Sequence, residues 1–560
     1  MKETNKKYLL GADIGTTSLK CAVFDTDGNM IKSATKDYTL IVSGDDVEFP
    51  ANDYVKLFEE AYAEVSKGLE IAAFSIDTQC ETLIVTDEND TPLMNAIVWL
   101  DNRATKQAEE IKEHFGNKRV YEVTGQPEIT ATWPAAKLLW IKENKPEIHN
   151  KIKKVFLLED YLLYKLTGNF VTEKTLQSST IYFDIKNDCW WDEMLDFIGA
   201  KKEWLPKLCD SAQKVGVYKG TAVVTSAIDQ IAGAIGAGIT DTSVVSEMTG
   251  TTMVVFAPSE TVPEFNPESI VPCHKNYDGK YCLLSWTPTA GIALKWFKNN
   301  FCENFDFKQL DELAKDVPAG SCGLTFLPYL CGSTMPKYNP DAKGAFMGLT
   351  MEHTRGHAVR SILESVACML KANLDYLGVT CDEIRSMGGG ASSPLWCQIK
   401  ADMTNKNIAI LENNETACLG SAILAGVGVG IYSDVKTVCK DIVKIKKEDQ
   451  DKLLKEYSHG MKNKMQMLIN FIASPKVLLL DEPLTSLDVV VQDEMKNLLK
   501  KMKKNHILIF STHILELAMD LCDEIVILNN GKLELVEKND LNTKRYKNKI
   551  INSLKDDKND

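Results

Sequence analysis

The sequence predicts a duplicated α/β protein, two similar halves facing a cleft suited to a nucleotide. Three observations predict it. Tyr8–Phe24 reads as two buried strands joined by a Gly-Thr-Thr turn, and Val244–Phe256 repeats the same strand, turn and strand. Between them, over residues 1 to about 235, strand-like runs alternate with helical patterns, as in an α/β domain.

Composition narrows the function classes. At 560 residues the chain exceeds one core and suits about three or four domains. A net charge of −14 without a dense basic cluster argues against a nucleic-acid footprint and leaves small molecules or proteins as partners. The 15 cysteines include no Cys-x-x-Cys pair, so neither a zinc site nor a disulfide framework is expected, and a reducing cytoplasm fits. The N-terminal run, broken at Asp13, is too short and polar for a signal peptide. The glycine-rich run Leu419–Tyr432 falls short of a membrane span.

The first turn offers phosphate chemistry. Gly15 permits close backbone approach, Thr16, Thr17 and Ser18 bring N–H and O–H donors, and Lys20 adds a positive charge. Asp13, closing the first strand, is acceptor-only and suits a magnesium ion held through water. The second turn repeats this with Gly250, Thr251 and Thr252.

Ile71–Asp77 is a predicted strand leading into Thr78-Gln-Cys-Glu-Thr82, and Asn95–Arg103 is another ending in polar residues. Glu81, Trp99, Asp101 and Arg103 suit a wall for a polyhydroxylated ligand, the indole against carbon and the carboxylates accepting from hydroxyls. A buried tryptophan beside a surface Asp–Arg pair is the alternative. Ala222–Gly236 reads as a strand that breaks into a small-residue helix, with Asp229 and Gln230 at the break. There Asp229 is either a helix cap or a general base.

Phe326–Gly332 and Ala345–Thr350 bracket a turn-rich loop, followed by a long amphipathic helix, His353–Leu377. His353 and His357 share a face of that helix, a metal-pair spacing, but no third ligand lies nearby in sequence and they read as polar residues of a helix start. Gly388, Gly389, Gly390 and Ser393 then let a flat base or a phosphate lie against the backbone. The helix after Pro394 and the small-residue helix Ala417–Gly428 close this half.

In order and spacing these motifs, over about residues 7 to 445, resemble the FGGY family of carbohydrate kinases, within the actin-like ATPase superfamily. The resemblance implies two RNase H-like domains, 1-236 and 237-445, each a mixed sheet with helices on both faces, closing over ATP and a sugar. By position, Asp13 with Thr16, Thr17, Ser18 and Lys20 is similar to the first phosphate motif, and Gly250, Thr251 and Thr252 to the second. Gly388, Gly389, Gly390 and Ser393 resemble the adenosine motif, and Asp229 sits where the family keeps its base. Gln79, Glu81, Trp99, Asp101, Arg103, Asp229 and Gln230 are then expected to meet the sugar. The implied mechanism has Asp229 take a hydroxyl proton while the oxygen attacks the γ-phosphate, with Mg2+ near Asp13.

Phe326–Thr350 looks most like xylulokinases and related ketose kinases. Thr78–Thr82 and Asp229-Gln230 lean toward glycerol kinases, but Cys80 stands where those carry an arginine and Thr132 where a tyrosine is usual. The expectation is a ketose or related polyol, with a homodimer as one possible assembly.

After Val443-Lys-Ile-Lys-Lys the family's usual ending is missing. Residues 446-537 resemble the second half of an ABC-transporter ATP-binding domain, a partial P-loop NTPase. The resemblance makes Ser458 and Gly460 a variant signature, Asp481 the end of a Walker B strand, Glu482 the water-polarising residue, Asp488 part of the D-loop and His513 the switch histidine. No Gly-x-x-x-x-Gly-Lys-Ser/Thr loop occurs in the chain, so this segment is not expected to bind ATP for itself. It serves transporter subunits in trans or is a remnant of a fusion, with an apolar edge left exposed. The Lys-, Asn- and Asp-rich stretch 538-560 is expected to be disordered.

Overall fold

The computed structural model describes residues 7–267, 271–334, 339–446, 476–482, 496–497, 499–504, 506–512, 514–529 and 532–536. The chain divides into two units, Met1–Lys455 and Glu456–Asp560. The tail 538-560 lies outside the described residues.

In the first unit, strands β1 (Tyr8–Ile14), β2 (Ser18–Phe24), β3 (Met30–Asp37), β4 (Ile71–Thr78), β5 (Lys214–Tyr218) and β6 (Thr221–Thr225) form a six-stranded sheet in the order β5-β6-β4-β1-β2-β3. Strands β1 and β2 are antiparallel, as a short turn requires, while β1, β4 and β6 run parallel. Parallel strands are covered on both faces, which is why β1, β4 and β6 read as near-continuous apolar runs. One cover is α1 (Ala51–Ser66), whose Tyr54, Phe58, Ala61, Tyr62 and Val65 fall at helical spacing and are buried. Helices α2 (Pro134–Asn144) and α3 (Leu158–Thr167) follow, and α4 (Asp229–Gly236) opens directly on Asp229.

The second six-stranded sheet holds β7 (Val244–Thr249), β8 (Met253–Ser259), β9 (Cys273–Lys275), β10 (Tyr281–Thr287), β11 (Glu383–Met387) and β12 (Asn407–Ile410), in the order β9-β10-β8-β7-β11-β12. Five strands of each sheet correspond in order and direction: β3-β2-β1-β4-β6 against β10-β8-β7-β11-β12. Helix α5 (Arg355–Leu377) starts two residues later than the sequence predicts, and α6 (Pro394–Thr404) and α7 (Thr416–Gly428) complete the lobe.

The lobes are joined through α4 and α7, which pass so closely that only glycine fits at the crossing. A Cβ on Gly420 would lie 1.8 Å from the Ala232 carbonyl oxygen, and one on Gly236 1.8 Å from that of Thr416. Helix α7 also packs on β1 and β4, so residues late in the chain reach the first lobe's strand ends. At the other side β9 reaches the first lobe, where the Cys273 N–H donates to Gly125 O (2.9 Å) and Lys275 pairs with Asp188 (2.7 Å).

In the second unit β13 (Val477–Leu480) runs parallel to β14 (Ile507–Phe510), with α8 (Leu515–Leu521) behind them and a hairpin of β15 (Ile525–Asn529) and β16 (Lys532–Val536) after them. Leu480, Leu508 and Phe510 pack against buried Leu499, Leu517 and Leu521. The alternate residues Val477, Leu479, Ile507 and Ile509 are each at least half exposed, an apolar face on this strand pair. No helix among the described residues is long and apolar enough to cross a membrane.

Candidate active site

The parallel register of β1 and β4 sets Asp13 beside Asp77 at the strand ends. Asp13 is half-buried, Asp77 wholly buried. Ser421 of α7 donates to Asp77 Oδ2 (2.5 Å) and is hydrogen-bonded to Ser226 beyond β6 (2.6 Å), while Asp77 Oδ1 is buried without a partner. Burial raises the Asp13 carboxyl above the usual range, and raises Asp77 well above it, with Asp13 adding to the effect. No motif in the sequence marks Asp77; its one signal is an acidic residue near the end of a mostly apolar strand.

Asp229 stands half-buried at the first residue of α4, its carboxylate accepting from the Gln230 N–H (2.8 Å). Burial pushes its pKa up to about 8, with Asp13 and Glu81 adding and the Gln230 N–H opposing. The Gln230 Oε1 is another buried acceptor without a partner. Such orphans at a crevice are satisfied by bound hydroxyls or water.

The predicted wall separates into a face and a backing. Cys80, Glu81 and Trp99 are half-buried, and Trp99 Nε1 donates to Thr16 Oγ1 (3.0 Å), tying the wall to the first Gly-Thr-Thr turn. Asp101 is wholly buried instead, accepting from the Val47 N–H (2.6 Å) and from Arg103 Nε (2.9 Å). Arg103 also pairs with Glu48 (2.8 Å) and stacks 5.0 Å over Trp140. Gln79 points its amide at Tyr54 OH (3.3 Å). Asp101 and Arg103 therefore brace the wall from behind, while the Gln79 Oε1, like that of Gln230, is a buried acceptor without a hydrogen-bond partner. Lys137, unnoticed in the sequence, reaches the back of Glu81. Its signal was a lone lysine inside the apolar run Ala135–Trp140.

In the second lobe, Gly250 and Thr251 are exposed at the turn, and the Gly250 N–H donates to Thr252 O (2.9 Å). Gly388, at φ 75°, packs so that a Cβ would lie 2.8 Å from Thr249 O, which sets the glycine run against this turn. Gly388 and Gly389 are exposed and Gly390 buried; Ser393 caps α6 by accepting from the Trp396 N–H (3.0 Å). Behind the turn, wholly buried Glu247 accepts from Lys400 Nζ (2.6 Å), Thr249 Oγ1 (2.6 Å) and Ser386 Oγ. His353 and His357 do not stand free as a metal pair, because each Nδ1 accepts a backbone N–H, from Thr350 (2.9 Å) and Thr354 (3.1 Å).

The donors around Asp13 are carboxylate and hydroxyl oxygens, the ligands a hard cation takes. Among the described residues no three His, Cys, Asp or Glu converge as a metal cage. One carboxylate at a phosphate turn fits Mg2+, which keeps waters and substrate phosphates as its other ligands.

In the second unit, Ser511 donates to Asp481, and the Glu482 N–H donates to Ser511 Oγ (3.1 Å). Ser458, Gly460, Asp488 and His513 lie outside the described residues.

Comparison with known proteins adds an independent line. The N-terminal domain of the FGGY family of carbohydrate kinases matches residues 8–244 and its C-terminal domain residues 245–429. A xylulose kinase of Lactococcus lactis is 29% identical over 460 residues, 78% of this chain and 91% of the relative. A gluconokinase of Bacillus licheniformis is 28% identical over 467 residues, covering 78% of this chain and 89% of the relative. The crystal structure of a ligand-bound xylulose kinase from Lactobacillus acidophilus superposes with a TM-score of 0.77 at 25% identity, over 83% of this chain and 97% of that one.

Proposed function

The chain belongs to the FGGY family of carbohydrate kinases, and from that premise we propose that it transfers the γ-phosphoryl group of ATP to a hydroxyl of a ketose of the xylulose type or a related polyol. The observation that carries the reading is the position of Asp229: a half-buried carboxyl opening α4, fixed by the Gln230 N–H (2.8 Å), with Asp13 and Glu81 near enough to join burial in pushing its pKa up to about 8. A base held near neutral pH accepts a hydroxyl proton more readily than an ordinary aspartate does.

Asp229 removes the proton from the acceptor hydroxyl, whose oxygen then attacks the γ-phosphorus in line. Thr16, Thr17, Ser18 and Lys20 on one side, and Gly250, Thr251 and Thr252 on the other, hold the phosphates by N–H, O–H and charge. Gly388, Gly389 and Gly390 bring backbone against the adenosine, with Ser393 holding the helix start beside it. Glu81, Gln230 and Trp99 orient the acceptor, and Asp101 and Arg103 keep that wall in place. Asp13 would hold Mg2+, and the ion would supply charge neutralisation at the phosphoryl oxygens.

The names of the Lactococcus and Lactobacillus relatives support xylulose. A glycerol kinase-like activity is the second reading, favoured by Glu81 beside Asp229 and opposed by Cys80 and Thr132. For the second unit, the parallel β13–β14 pair ending at Asp481 and Glu482 supports the ABC-type reading. Without a phosphate-binding loop it is a remnant or a partner for transporter subunits. We further propose a cytoplasmic location, and a homodimer as the assembly to test. The deciding experiment is ADP release with Mg-ATP across D-xylulose, D-ribulose, L-xylulose, erythritol, glycerol and no acceptor. Release that rises with one ketose supports the reading; release that ignores every acceptor but disappears in Glu482→Gln refutes it.

A further inference from the structure

Lys137 lies on α2 with no exposed surface. A buried ammonium group needs partners, and those of Lys137 are two backbone carbonyls: Nζ donates to Glu81 O (2.9 Å) and to Val98 O (3.1 Å). The two carbonyls belong to the two separate segments that make the acceptor wall, one carrying Cys80 and Glu81, the other Trp99. One amine therefore fixes both. Glu81 needs the restraint, because its φ of 66° is left-handed, a conformation that a residue with a Cβ adopts only when its surroundings impose it.

The same geometry sets the charge of the wall. Asp13, Glu81 and Asp229 are half-buried and gathered closely enough for Asp13 and Glu81 both to raise the Asp229 carboxyl. The cations behind the wall are engaged: Lys137 on backbone carbonyls, Arg103 on Asp101 and Glu48. Among the described residues, none of the wall's cations is left to meet an anionic acceptor. A hydroxyl-only acceptor can donate to Glu81 and Asp229, whereas a sugar acid adds a negative charge where burial already disfavours charge, raising Glu81 to about 7 and Asp229 to about 8.

We infer that Lys137 is a positioning residue that holds Glu81 as the acceptor wall, and that this wall selects uncharged ketoses and polyols over aldonates. The inference rests on the kinase reading above and specifies its acceptor. It divides two kinds of relative that match this chain almost equally, named xylulose kinase and gluconokinase.

The test uses the purified full chain with Mg-ATP and measures ADP release against D-xylulose, D-gluconate and no acceptor. For the unaltered protein, D-xylulose accelerates release and D-gluconate does not. Lys137→Met raises KM for the ketose by about tenfold or more, the loss expected when buried carbonyls lose a charged donor, while KM for ATP stays within about twofold. A merely structural loss would lower kcat without that split. Should Lys137→Met not fold, Glu81→Gln carries the test: removing the charge while keeping the shape raises the gluconate-to-xylulose ratio of kcat/KM by about tenfold. Turnover of D-gluconate as fast as D-xylulose by the unaltered protein overturns this inference and leaves the kinase reading standing. Equal KM in the folded Lys137→Met protein, or an unchanged ratio in Glu81→Gln, also overturns it. No stimulation by D-xylulose, D-gluconate or any ketose or polyol of the panel above overturns the kinase reading and this inference with it.

Discussion

The β1–β2 and β7–β8 hairpins are the same device placed in two lobes, and they treat charge in opposite ways. In the first, Asp13 stands half-buried two residues before Gly15 and faces Lys20 across the hairpin, while Lys20 pairs with Glu415 (2.8 Å), both side chains 30% exposed. In the second, the position two before Gly250 is Met248, 44% exposed, and the charged residue has moved one place to Glu247, sealed with Lys400. The first lobe thus leaves an acid half-buried beside its turn. The second turn carries backbone and hydroxyl donors, with its ion pair sealed behind it. Duplication supplies the scaffold twice, and single-residue shifts along a strand decide whether a carboxylate stays half-buried beside the turn or is sealed in an ion pair.

The largest effect expected on this contrast comes from Asp229→Asn. It lowers acceptor-dependent turnover by about a hundredfold or more, as loss of a general base does, while calorimetry finds ATP binding nearly unchanged. In the unaltered protein, kcat/KM for the acceptor rises with pH through a limb no higher than about 8, because Asp229 must be ionised to act and a cation near Asp13 can only lower its pKa. A limb lying clearly above pH 8, or a kcat/KM that falls as pH rises from 5 to 8, would remove Asp229 from the role.

Lys400→Met comes next. It leaves Glu247 charged and buried without its cation, and denaturant melts should show a loss of about 3–5 kcal/mol. Adding Glu247→Leu should restore much of it; if the double variant is as unstable as the single, the pair is not what holds the turn.

A third test concerns Asp160, Glu159 and Glu173, buried together in the first lobe. Burial raises all three, Asp160 to about 8. Groups raised on folding contribute stability that is present below the unfolded carboxyl range and lost as pH climbs to the folded value. The melting temperature should therefore fall between pH 5 and pH 8, and Glu159→Gln should flatten that fall. A melting temperature that rises over this interval would contradict the burial argument.

The smallest effect belongs to Glu415→Gln. Its pair with Lys20 is partly exposed, so the stability change should stay within about 1 kcal/mol. ATP affinity should hold or improve, because Lys20 is released toward phosphate; a stability loss as large as that of Lys400→Met would erase the distinction between the hairpins.

What was legible in the sequence was local. Asp13, the two Gly-Thr-Thr turns and Asp229 announce themselves within a few residues, since strand, turn and helix start are short-range patterns. What escaped depends on pairing over distance. Asp77 acquires meaning only from its register with Asp13, Lys137 from carbonyls up to 56 residues away, and Lys400 from a carboxylate 153 residues away. Asp101 and Arg103 look ligand-facing in the sequence because both are polar at a strand end; the Val47 N–H and Glu48 engage them from behind instead. In the second unit the strand ending at Asp481 was legible as an apolar run before two acids, while its parallel partner was not.

The most direct test is the identity of the product. After incubation with Mg-ATP and D-xylulose, mass spectrometry of the sugar should show one phosphoryl group gained for each ADP released, and none with Asp229→Asn. ADP appearing with inorganic phosphate and an unmodified sugar would contradict the account.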